Sequence, residues 1–500
     1  MCVPPSLALL PYSPSFLKPC PPAILPRPPS FLPAIPLRPP SPKSSPPSLR
    51  PSLPGGPSCD GWVCQQGPGP PPPPPGIGMA TAVCYILGVF GVVPVVSLPG
   101  AIAYCGWFGF VVFGVLVLVQ VYTAVLLGKC WLFLEMFWPR EAILQRRYPY
   151  PALAEKAGGT TLRRVVSVMQ DVAIFGAAVP FMLLASDTLQ ELVERLSGVD
   201  FSFCYWLLIT TLVLTPLLWL GTPKDLGVVT WIGAGCMVIV SVLTLAGLVL
   251  NAPQQFDPPP TVPSFATVAY CFGAVAFQFD IHPMILTVQM DMQHKDRLPL
   301  ALIIAFIIGV CLFGGISLVA FFFFGSSVKT NILNNLSPGV LLYINMVIVS
   351  VQILMCLVLG INTLFQDLEN SLRIPDEFGW RRICLRTTVM LLVLFLCESV
   401  PHFGVAIELV GGLLVTPFIF FFPATFHIII KKKATGQLDV KDIVLAANIM
   451  FLGVVGCIAA TTDSFINVAI LKDFAPPCYI NITAASTLTE GSGLPGPKVP

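Results

Sequence analysis

Apolar residues gather into eleven stretches, separated by short segments that hold most of the charge: 80–103, 107–133, 165–187, 204–220, 226–250, 264–289, 299–324, 339–361, 384–400, 405–430 and 443–468. About twenty helical residues cover the ~30 Å hydrocarbon core of a bilayer, and these stretches reach or approach that length. No strand is predicted. The pattern reads as an all-α integral membrane protein of about eleven transmembrane helices. It places a membrane domain at 78–470, a disordered Pro-rich N-terminal tail at 1–77 and a short non-cytoplasmic tail at 471–500. The Pro, Ser and Leu of the N-terminal tail cannot bury a core and predict polyproline II and coil, with PxxP segments that would fit a PxxP-binding partner. Between the second and third stretches, 137–159 is too polar to cross, and Tyr148-Pro149-Tyr150-Pro151 predicts a surface-lying or re-entrant piece rather than a continuous helix.

Two stretches break the apolar pattern from within. The sixth carries Gln278, Asp280, His282 and Pro283 at its centre, and the first carries Pro94, Ser97 and Pro99. Ionisable groups at bilayer depth are expensive and normally face a cavity or a partner. Proline removes a helical hydrogen bond and clashes with the turn before it. Backbone freed in this way is tolerated only where it meets protein or lines a cavity. The two breaks lie five spans apart, the spacing of a five-plus-five inverted repeat in which helices one and six are each discontinuous. Asp280 and His282, two residues apart, form a pair suited to binding or relaying a proton.

Composition agrees with a membrane protein: mean hydropathy is +0.82, with 55% hydrophobic and 10% charged residues. Lys and Arg crowd one set of loops (Arg140, Arg163, Arg164, Arg381 and Lys431–Lys433 among them). The opposite set holds Arg195, Lys329, Lys472 and Lys498, an asymmetry of roughly four to one that puts the N-terminus in the cytoplasm. The triplet Asn481-Ile482-Thr483 then falls on the outer side, where Asn481 is a glycosylation acceptor. Cys204 and Cys478 share that side and form a possible disulfide pair. Most of the sixteen cysteines stand singly in apolar runs as small hydrophobes, and four histidines never reach metal-ligand spacing, so no metal site is expected. No catalytic motif and no basic patch interleaved with aromatics is present, which speaks against an enzyme and against nucleic acid as a partner.

Several motifs together resemble the amino acid/auxin permease family, within the amino acid–polyamine–cation superfamily, in its invertebrate-type members. They are Ser97-Leu98-Pro99 with Gly106-Trp107-Phe108-Gly109, the loop Arg147–Ala157, and Phe272-Gly273 with Gln289-Met290-Asp291-Met292. Asn362–Glu369 and Pro401-His402-Phe403 with Glu408–Gly412 complete the set, and the resemblance covers about 78–468. It implies secondary transport of small neutral amino acids or GABA-like relatives by alternating access. Coupling would be to protons or to sodium, with no other cofactor. Substrate is expected at Val93, Pro94, Val95 and Ser97 of span one and at Phe277, Gln278, Phe279 and Asp280 of span six. Asp280 and His282 would serve the proton. The expected location is multi-pass in the plasma membrane or a vesicular or lysosomal membrane. An alternative on the same fold is an amino acid sensor with little or no transport, signalling through the N-terminal tail. Two departures stand out: Val92, Val93 and Pro94 occupy positions where the family has glycines, and Asp280-Ile281 replaces a Gly-Gly pair.

Overall fold

Polar side chains turn inward and apolar ones outward, the reverse of a water-soluble bundle. Gln120, Gln352, Asn345 and Arg386 are all buried, while Leu118, Leu212 and Phe451 are each more than two-thirds exposed. The computed structural model describes residues 76–470 except 145–147, 200, 220–225, 252–257, 259–261 and 376–377, together with 478 and 480. The N-terminal tail to residue 75, Asn481 and nearly all of 471–500 lie outside the described residues.

In chain order the helices are α1 (Met79–Phe90), α2 (Val93–Tyr104), α3 (Trp107–Phe137), α4 (Pro139–Leu144), α5 (Pro149–Ser197), α6 (Phe203–Trp219), α7 (Leu226–Leu250) and α8 (Phe265–Gln278). There follow α9 (His282–Asp291), α10 (Leu298–Gly309), α11 (Gly315–Phe324), α12 (Val340–Ser371), α13 (Trp380–Ser399), α14 (Phe403–Leu409), α15 (Phe422–Thr435) and α16 (Val440–Ile470). Turns of π-helix join α10 to α11 (Val310–Gly314) and α14 to α15 (Val410–Val415 and Pro417–Phe421). Each of the eleven apolar stretches is helical. Among the described residues, eight helices are long and apolar enough to cross a membrane, and nine when the bent pair α1–α2 counts as one span. The remaining two expected spans differ for clear reasons: α6 has 17 residues, and α13 begins with Arg381, Arg382 and Arg386.

The segment 137–159, expected as a surface-lying or re-entrant piece rather than a continuous helix, is helical in two pieces and partly buried. It contains α4 and the first turns of α5, whose 49 residues bend at Gly158–Gly159, where Gly159 has φ +81°. Pro149 and Pro151 fall in the first helical turn, where a missing N–H leaves no intrahelical bond unmade. Tyr150, Leu153 and Ala154 are buried, and the Tyr150 hydroxyl donates to the Phe418 carbonyl at 3.2 Å.

On the Lys/Arg-rich end of the bundle, Ile77 pairs with the chain just after α9. Its N–H donates to the Asp291 carbonyl at 2.7 Å, and its carbonyl accepts from the Gln293 N–H at 3.0 Å. At the opposite end Cys204 and Cys478 form a disulfide that ties α6 to the chain beyond α16.

Candidate functional site

Span one breaks where Gly91 takes φ +64°, a conformation open to glycine and costly for residues with a Cβ. α1 and α2 meet there at 57°. The glycine missing at Val92–Pro94 is therefore supplied one position earlier. Val92 and Val93 lie at negative φ or within helix and need no glycine. Pro94 sits in the first turn of α2, whose leading N–H groups have no intrahelical acceptor and form a positive helix end. Ser97 folds its hydroxyl back onto the Val93 carbonyl at 3.0 Å.

Span six breaks differently. α8 ends at Gln278, Phe279 closes it at φ −105°, and Ile281 precedes α9 at φ −117°. Neither angle calls for glycine, so Asp280-Ile281 is accommodated without strain. The Asp280 carboxylate takes the place of a cap: Oδ1 accepts from the His282 N–H at 3.3 Å and lies 3.8 Å from its Nδ1. His282 Nε2 is held by the Thr123 hydroxyl of α3 at 2.9 Å. Asp280 Oδ2 and His282 Nδ1 have no hydrogen bond, although both residues are buried.

The two breaks touch. Gln278 Nε2 donates to Ser97 Oγ at 3.0 Å, linking the end of α8 to the first turns of α2. Beside this link lies a cavity of about 20 Å³ lined by Phe90, Val93, Phe181, Phe277, Gln278 and Asp280 among others. That volume holds about one water molecule. Among the described residues no lysine or arginine lines it, and Asp280 is the ionisable group facing the space.

Of the expected substrate residues, Val93, Phe277, Gln278 and Asp280 line this cavity and Ser97 bonds to one of them. Pro94 and Val95 are buried in the same turn without lining it. The Phe279 ring points elsewhere, into an aromatic cluster with Phe90, Phe113, Phe306 and Phe313 at centroid distances of 5.2, 5.7, 6.0 and 5.8 Å. Val89 and Phe90 of α1 and Ala177 of α5, which line the cavity, were missed from the sequence, as were three further contributors. Phe181 of α5 carries no sequence signal. Gln120 and Thr123 do: they are polar residues three apart on one face of an otherwise apolar helix. Gln120 Nε2 donates to the Val275 carbonyl at 3.4 Å, near the end of α8.

Residues 76–466 match the family model described as transmembrane amino acid transporter protein. Among curated proteins the chain is similar to amino acid transporter AVT1C of Arabidopsis thaliana, 25% identical over 362 residues covering 70% of this chain and 63% of the relative. It is also similar to AVT1E of the same plant, 22% identical over 383 residues (73% and 69%), and to lysine histidine transporter-like 6, 25% identical over 363 residues (68% and 79%). The match to AVT1C thus spans less than two thirds of that relative's length. The family and these relatives are transporters rather than enzymes.

Proposed function

Because the chain belongs to the transmembrane amino acid transporter family, we propose that it moves small neutral amino acids or GABA-like compounds across a membrane by alternating access, coupled to protons. The observation that carries this reading is the Ser97–Gln278 contact between two broken helices, with the Asp280 carboxylate facing a small enclosed space beside it. The N-terminal end of α2 would receive the substrate carboxylate, and Asp280 with the carbonyls at the end of α1 would receive the ammonium group. A lone acidic group there disfavours substrates with an acidic side chain, and Phe90, Phe181 and Phe277 leave little room for a long one. With room for about one water, the described arrangement is closed; α1 and α8 must part before a substrate enters.

Asp280 and His282 are proposed as the proton-sensitive pair, sodium being the alternative coupling ion. The Cys204–Cys478 disulfide supports a cytoplasmic N-terminus, since disulfides persist in oxidising compartments and this one joins α6 to the region beyond α16. Uptake of labelled amino acids into proteoliposomes, with and without a pH gradient, tests the proposal in wild type and Asp280→Asn. Gradient-driven uptake that the substitution abolishes or uncouples from pH is the expected result. Ligand binding without uptake or exchange would leave a sensor of the same fold.

A further inference from the structure

Glu408 stands at the end of α14, just before the π-helical turn Val410–Val415. Beside the turn Pro401–Gly404 a carboxylate would ordinarily reach the membrane interface. Instead Glu408 is 1% exposed, and neither carboxylate oxygen has a hydrogen-bond partner. The carboxyl meets the Asp463 carboxyl and the Ser464 hydroxyl, both on α16 and both buried. From α8 it faces Tyr270, whose hydroxyl is buried and makes no hydrogen bond. Asp463 accepts one hydrogen bond, from Asn467 Nδ2 at 2.9 Å. The groups facing this pair are thus an amide and two hydroxyls, with the Tyr104 ring tilted against Tyr270 at a centroid distance of 5.9 Å. Among the described residues no Lys, Arg or His faces it.

Two buried carboxylates side by side, without a cation, do not both remain charged: desolvation and mutual repulsion each favour taking up a proton. Tyr270 adds, on the α8 side of the pair, a buried hydroxyl with no hydrogen-bond partner. We propose that Glu408 and Asp463 form a proton-binding site that holds one shared proton between α14 and α16, distinct from the Asp280–His282 pair.

The site is mechanically joined to the break in span six. A Cβ on Gly273 of α8 would lie 2.5 Å from the Glu408 carbonyl, and one on Gly411 would lie 1.9 Å from the Gly273 carbonyl. Backbones this close move together. Gaining or losing the shared proton changes how α14 sits against α16, and α8 carries that change toward Gln278 and Asp280. The irregular π-helical turn after Glu408 gives α14 a place to yield.

Infrared difference spectroscopy on the full chain in lipid nanodiscs tests the site without requiring transport. At neutral pH the wild type should show the C=O stretch of a protonated carboxylic acid, shifted in D₂O. The band should persist in Asp280→Asn and be lost in Glu408→Gln/Asp463→Asn. Each single variant, retained if the double one fails to fold, should shift it. A band lost with Asp280 instead, or unchanged in variants of the pair, overturns the proposal. So does a band that disappears when sodium replaces potassium, which would make the site a sodium site. Asp280→Asn uptake that stays normal would defeat the coupling role given to Asp280 and leave this band as it was, so the two failures are distinguishable.

Discussion

Ser97 and Gln278 lie 181 residues apart and meet at 3.0 Å, the Gln278 amide donating to a hydroxyl that itself donates to the Val93 carbonyl. The order of the donors sets the cost of losing each partner. Ser97→Ala strands the buried Gln278 amide, a penalty of about 1–3 kcal/mol. Gln278→Met removes a side chain whose Oε1 already has no partner and leaves Ser97 bonded to Val93. Thermal unfolding in detergent should therefore drop further for Ser97→Ala than for Gln278→Met, while both lose substrate binding. The reverse order of melting temperatures would show that this contact does not hold the two breaks together.

Gly91 sets the bend of span one through its positive φ, not through lack of room. A Cβ there would meet Cys356 Sγ at 3.6 Å, an ordinary contact. Gly91→Ala should therefore cost the conformational penalty alone, about 1–3 kcal/mol, and the protein should still fold. Gly411→Ala would drive a Cβ into the Gly273 carbonyl and should abolish folded expression. Size-exclusion profiles of the two variants check the contrast; equal behaviour would count against it.

The breaks were legible because Pro94, Pro283, Gln278 and Asp280 are local violations of an apolar pattern, and a violation shows in the sequence whatever surrounds it. Gly91 was overlooked because the family comparison placed the unwound turn one residue late. The burial of Glu408 is not legible from its own helix end, because Asp463 and Ser464, which enclose it, lie more than fifty residues on. Phe181 is one apolar residue among many, and its place at the cavity follows from how α5 packs. α13 falls short of the apolar pattern of a span for a physical reason as well, since Arg386 is spent inside the bundle, whereas α6 carries no charge and is only short.

That arginine makes the strongest buried ion pair in the described residues. Arg386 Nε donates to Glu369 Oε1 at 2.7 Å, and Nη1 donates to Asn362 Oδ1 at 3.1 Å and to the Leu218 carbonyl at 2.5 Å, joining α13, α12 and α6. Arg382 Nε lies 3.2 Å from the same Glu369 oxygen. Removing Arg386 leaves Glu369 with Arg382 alone, so Arg386→Met should lose about 3 kcal/mol, the low end for a broken buried pair. Arg386→Met/Glu369→Met should recover part of that loss. Strictly additive losses in thermal unfolding would mean the pair contributes no coupling.

The Cys204–Cys478 disulfide offers a test of the proposed sidedness. Cys478 should resist a membrane-impermeant maleimide until a reductant is added. In Cys204→Ser it should react directly, and only from the side opposite the Lys431–Lys433 end. Sealed vesicles of known orientation read this out, and labelling from the lysine-bearing side would invert the proposed topology.

The Ile77 pairing is the closure at that lysine-bearing end. Its two backbone bonds to Asp291 and Gln293, with the Gln293 side chain donating to the Gly76 carbonyl at 2.9 Å, hold the start of α1 against the end of α9. Both halves of the candidate site must separate here if the cavity is to open toward this side. Ile77→Pro removes the N–H that reaches Asp291 and leaves the rest of the chain intact. Losing one such bond shifts the balance by about 1 kcal/mol, or roughly fivefold in population. A cysteine placed at Val89, which lines the cavity, should then react several times faster with a thiol reagent from the lysine-bearing side, and no faster from the other. Equal acceleration from both sides would mean that Ile77 stabilises the fold as a whole and does not close one end.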